Sequence, residues 1–156
     1  MTPVLIAMPS FLPDTTCMIA LVCGWHPDHS RSTAEFSRRL SRGEELVVAA
    51  PALVEAYAVL TRLPPPYRIA PADALFLLES NFMGDRSLVC LSASAYQSLL
   101  RGSAGLGIAG GKVYDAVIAE CAVQAGVDAL LTLNERHFKD LGRDQPKLVV
   151  PGQENP

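Results

Sequence analysis

Little in this chain announces a partner or a compartment. Charged residues make up only 19% of its 156 positions, and the net charge is -3. No overall basic character marks it as a nucleic-acid binder, which leaves only a local patch or a basic partner open. No apolar run reaches the ~18 residues needed to span a bilayer. The stretch from Met1 to Leu12 is apolar but has no basic lead, contains Pro3 and Pro9, and soon meets Asp14. It makes a poor signal peptide. The four cysteines, Cys17, Cys23, Cys90 and Cys121, form no CxxC pair and sit in apolar segments. They are expected to be reduced core residues of a cytoplasmic protein. There are no internal repeats and no domain linkers, and Pro64-Pro65-Pro66 reads as a loop within one domain.

What is present is apolar and periodic. Hydrophobic residues are 49% of the chain, enough for a real core and too many for disorder. Short β-rich runs are predicted at Ser10–Pro13, Leu46–Ala49, Ser87–Leu91, Val127–Leu133 and Lys147–Val150. Helices are predicted from Cys17 to Val22, Thr33 to Ser41, Pro51 to Arg62, Ala72 to Phe82, and from a Ser92 or Ser94 cap to Arg101. A glycine-rich loop, Gly102 to Gly111, then opens a helix carrying Asp115, and Glu135 to Leu141 forms a short one. Strands alternating with helices argue an α/β domain in three layers, with a central parallel sheet flanked by helices.

Three acids each stand alone in apolar surroundings: Asp14 at a strand end, Glu55 in a helix, Asp115 at a helix start. Asp115 shares a face with Ala119 and Ala122, so it should pack closely on a neighbour. A carboxylate on such a face is costly to bury unless something positive holds it. Taken singly, Asp14 is a helix cap, Asp115 a first-turn dipole partner and Glu55 a surface residue. Taken together, acids converging at the carboxyl edge of a sheet repel one another unless a cation is present, and Mg²⁺ or Mn²⁺ suits oxygen ligands.

The order of these segments resembles the PIN domain, and most closely the VapC-type ribonuclease toxins. The matching pieces are Pro13-Asp14-Thr15-Thr16, Pro51-Ala52-Leu53-Val54-Glu55, Gly110-Gly111-Lys112-Val113-Tyr114-Asp115, and Asp128 to Phe138 with its Thr132-Leu133-Asn134 core. The resemblance covers about Leu12 to Val150. It implies a single PIN-like domain over residues 1–156, with 1–9 an N-terminal extension and 151–156 a tail. It implies a Mg²⁺-dependent endoribonuclease with Asp14, Glu55 and Asp115 as metal-binding and catalytic acids. Thr15, Lys112, Thr132 and Asn134 become candidate substrate contacts. Asn134 stands where the family commonly has a fourth acid, so it offers a neutral oxygen to the second-metal side. The resemblance also implies a homodimer, a small antitoxin that covers the site, RNA as substrate, and a cytoplasmic location. The alternative is a catalytically weakened domain that binds RNA or protein.

Other patterns carry less. Arg31, Arg38 and Arg42 share a helix face with Glu35, which reads as a salt-bridged surface before it reads as a phosphate contact. Gly105-x-Gly107-x-x-Gly110 follows a helix rather than a strand, so it is no dinucleotide fingerprint. Cys23, His26 and His29 straddle Gly24 and Pro27 without a fourth zinc ligand. His137 has no Ser or Cys nucleophile motif beside it.

Overall fold

The computed structural model describes residues 2, 7–139, 141 and 146–153. Strand β1 (Ser10–Pro13) leads into helices α1 (Thr15–Val22) and α2 (His29–Ser41), then β2 (Glu45–Ala49), α3 (Ala50–Arg62) and α4 (Pro71–Phe82). The chain continues through β3 (Ser87–Val89), α5 (Ala93–Leu106), α6 (Lys112–Ala125), β4 (Ala129–Leu131), α7 (Glu135–Lys139) and β5 (Lys147–Val149).

Every strand pairing is parallel, in the order β3-β2-β1-β4-β5, and helices flank the sheet as expected. A parallel sheet covered on both faces needs apolar residues at successive positions. Phe11, Leu12, Val48, Ala49, Leu130 and Leu131 meet that need and are buried. Phe36 of α2 stands edge-on to Phe11 and to Phe82, with ring centroids 5.6 and 6.4 Å away, which ties α2 and α4 to β1. Among the described residues no helix is long and apolar enough to cross a membrane.

Strand order decides where a site can form. The chain steps from β1 to β2 to β3 on one side, then crosses to β4 and β5 on the other. The switch point therefore lies between the carboxyl ends of β1 and β4, where open α/β sheets bind ligands. Pro13 pairs with Leu131, so the next residues, Asp14 and Thr132, meet across that switch point.

Several expected boundaries are corrected. α2 begins at His29 rather than Thr33, because Asp28 takes the N-cap position and pairs with Arg31 at 2.7 Å within the first turn. α5 runs through Gly102 and Gly105 to Leu106, so the expected glycine-rich loop shrinks to residues 107–111. Each glycine costs a helix about 1 kcal/mol, and here Leu99 and the buried Ser103 supply packing that offsets it. Gly107, with φ +69°, ends the helix in the left-handed conformation that glycine adopts without strain. Cys90 is exposed, against the expectation of four core thiols, while Cys17, Cys23 and Cys121 are buried and all four are free. Residues 1 and 3–6 of the expected extension, and 154–156 of the expected tail, lie outside the described residues.

Candidate active site

Asp14 is the residue that leaves β1 and starts α1, and it is 1% exposed. Its Oδ1 accepts the Thr16 hydroxyl at 2.6 Å and the Cys17 N–H at 3.0 Å, and its Oδ2 accepts the Thr132 hydroxyl at 2.5 Å. It is therefore the N-cap of α1, the role it has when read as a single acid at a strand end. Burial pushes its carboxyl up to about 6. The bonds from Thr132, Thr16 and Cys17 work against that rise, and repulsion from Asp115 adds to it.

Glu55 projects from the second turn of α3, which starts directly from the carboxyl end of β2. Asp115 lies in the first turn of α6, and α3 packs against α6. Both acids are half-buried. Burial raises the Glu55 carboxyl; the Thr15 hydroxyl lowers it, Asp115 repels it and Arg62 lowers it. Burial also raises Asp115, against the hydrogen bond and charge of His137 and the charge of Lys112. All three acids are thus held above their ordinary range, and Asp115 repels the other two. A site that raises its own acids in this way is suited to a cation.

The oxygen donors present fit a hard divalent ion. The Thr15 hydroxyl is buried and makes no hydrogen bond of normal geometry, so it is an orphaned oxygen beside Glu55. Among the described residues no three His, Cys, Asp or Glu side chains form a ready-made ligand cluster. Asp14 and Asp115 are held by hydrogen bonds, so ligation would require the half-buried Glu55 to turn toward them. A cleft of about 770 Å³ opens beside Glu55, lined among others by Pro51, Arg62, Tyr96 and Tyr114.

Thr132 is buried and bridges β4 to Asp14, and its oxygen also accepts the Asn134 N–H at 2.9 Å. Asn134 itself is exposed at the end of that turn. Lys112 opens α6, three residues before Asp115. Two participants were missed by sequence reasoning. The Thr16 hydroxyl binds Asp14 and accepts the Leu133 N–H at 3.1 Å, closing the turn from the other side. His137 of α7 brings Nδ1 to 2.9 Å from Asp115 Oδ2. The sequence sign of His137 is its place five residues after Thr132 in the same segment.

Two of the three arginines read on the α2 face, Arg31 and Arg38, are salt-bridged. Arg31 binds Asp28 and the Pro151 carbonyl, and Arg38 binds Glu35. The buried member, however, is Arg39, which donates to Glu35 at 2.7 Å and to Glu44 at 3.2 Å. His26 and His29 are engaged locally, by the Asp28 N–H and the Ala20 carbonyl.

The parallel sheet and the acids near its switch point define a class: an α/β domain with an acidic site at the carboxyl edge. The chain belongs to the PIN domain family, whose model matches residues 11–144. Ribonuclease VapC40 of Mycobacterium tuberculosis is 37% identical over 118 residues, which are 76% of this chain and 82% of that protein. Two solved structures share the fold. VapC20 of Mycobacterium tuberculosis, a Sarcin-Ricin loop cleaving toxin, has a TM-score of 0.59 at 13% identity, covering 77% of this chain and 86% of that one. DNA-bound VapBC from Salmonella typhimurium has a TM-score of 0.63 at 19% identity, covering 92% and 98%.

Proposed function

We propose that the chain is a VapC-type endoribonuclease that hydrolyses RNA phosphodiester bonds with the help of Mg²⁺ or Mn²⁺. One observation carries the reading: Asp14, Glu55 and Asp115 come from three separate elements, are electrostatically coupled through Asp115, and are all pushed toward their protonated forms. The three acids would hold the cation, with Thr15 beside Glu55 and Asn134 as a neutral oxygen on the second side. When bound, the cation would neutralise the carboxylates, polarise the phosphodiester and ease deprotonation of a water.

The side chains supply the remaining functions. Asp14 is fixed by three hydrogen bonds and keeps its place as substrate enters. Thr132 holds that carboxylate and the following turn together. Glu55 or Asp115 could take the proton of the attacking water. Attack is in line with the departing oxygen, so no covalent nucleophile is needed. Lys112 at the head of α6 would contact the phosphate, and the cleft beside Glu55 would bring single-stranded RNA to that acid.

The similarity to VapC proteins supports a toxin role and a VapB-type antitoxin that covers the site with a basic residue. A homodimer, a cytoplasmic location and a single domain over residues 1–156 belong to the same reading. The uncharged Asn134 favours a second reading, a weakened enzyme that binds RNA or protein. Incubating purified protein with RNA that includes a sarcin–ricin hairpin separates the two. Cleavage that needs Mg²⁺ or Mn²⁺, stops with EDTA and is lost in a folded Asp115→Asn variant establishes the enzyme. A folded protein that cleaves no RNA and binds neither ion leaves the binding module.

A further inference from the structure

We infer that His137 is a positioning residue that fixes the Asp115 carboxylate for cation binding; this rests on the metal-site reading above. Asp115 is half-buried in the first turn of α6, and its Oδ2 lies 2.9 Å from His137 Nδ1. Facing a carboxylate, that ring nitrogen acts as the hydrogen-bond donor. The bond engages Oδ2 and leaves Oδ1 as the oxygen to be offered to a cation. It also stops the side chain rotating away, a freedom Asp115 would otherwise keep beside its small-residue neighbours. An orienting partner of this kind typically governs 10–100-fold in metal affinity.

His137 is itself well placed. Its N–H bonds the Asn134 carbonyl at 3.0 Å, and the Asn134 N–H bonds Thr132 Oγ1, which in turn holds Asp14. One continuous set of hydrogen bonds therefore runs from Asp14 through the β4–α7 turn to Asp115. Two acids on separate elements are held in fixed relation by the turn that lacks the family's fourth acid. Glu135 of the same helix is engaged elsewhere, pairing with Lys139 at 2.8 Å, so the contact to Asp115 comes from His137.

The test is a calorimetric titration of Mn²⁺ into wild type, His137→Ala and His137→Asn, with thermal unfolding showing each to be folded. Asparagine can present its side-chain amide N–H near the position of Nδ1. Alanine should weaken Mn²⁺ binding by about tenfold or more at little cost in melting temperature, and asparagine should restore most of it. Affinity unchanged or tightened in His137→Ala overturns the inference while leaving the metal site standing. Wild type that binds no Mn²⁺ overturns the site reading, and the inference with it.

Discussion

Around α2, Glu35 accepts bonds from Arg38 and Arg39, and Arg39 reaches on to Glu44. At the switch point of the sheet, Asp14 receives hydroxyls and one N–H, and Asp115 receives an imidazole. Both regions bury carboxylates, yet their acids move in opposite directions. Burial raises Glu35 too, but its arginines bring it below its ordinary range. Burial lifts Asp14 to about 6, and the hydrogen bonds it receives do not cancel that. Where the fold needs only stability, it supplies the countercharge from its own chain. At the switch point it supplies hydrogen bonds that orient acids, while Arg62, Lys112 and His137 offset only part of the effect of burial; on the proposed reading an external cation balances the rest.

If that contrast is right, removing a charge should have opposite effects in the two regions. The largest effect is on chemistry: Asp14→Asn or Asp115→Asn should lower RNA cleavage by about 10³-fold, since a lost metal contact is worth several kcal/mol in the transition state. Cleavage kinetics at saturating Mn²⁺ measure it. Next is Arg39→Ala, which leaves the buried Glu35 with Arg38 alone, takes the arginine from Glu44 and removes a cation lying 5.6 Å over the Phe11 ring. Breaking a buried pair in this way costs about 3–5 kcal/mol, and urea unfolding should show it. Pairing it with Glu35→Gln should recover much of the loss.

The sign reverses for Asp14. Its unfolded pKa is near 3.8 and its folded one about 6, so the folded state binds the extra proton between them. Metal-free stability should therefore fall as pH rises from about 4 to 6 and stay lowered above that. Two pKa units correspond to about 3 kcal/mol. Asp14→Asn removes that deficit but also loses part of the bond from Thr132, so a gain of about 1–3 kcal/mol at pH 7.5 is expected. At sub-saturating Mn²⁺, where the ion must displace the proton from this group, cleavage by wild type should decline as pH drops below about 6. Arg38→Ala should have the smallest effect, under about 1 kcal/mol, because an exposed pair contributes little and this side chain is 43% exposed.

The sequence was informative where one residue type stood out from its neighbours. Asp14, Glu55 and Asp115 were visible as single acids in apolar stretches, and parallel strands were visible as continuous apolar runs. The buried arginine was not visible, because Arg38 and Arg39 are adjacent and only the packing of α2 and the reach to Glu44 select between them. His137 was overlooked because histidine chemistry was sought beside a nucleophile. Its partner lies 22 residues away on another helix. The helical turn through Gly102 and Gly105 was hidden because local propensity argued for a loop and only tertiary packing overrode it.

On the proposed reading, the switch-point acids are left for an external cation to balance. Thermal unfolding of wild type and Asp14→Asn at pH 7.5, each with EDTA and with Mn²⁺, tests it most directly. A crossover is expected: the variant melts higher in EDTA, and Mn²⁺ raises wild type but not the variant. Wild type that is the more stable in EDTA and indifferent to Mn²⁺ would contradict it.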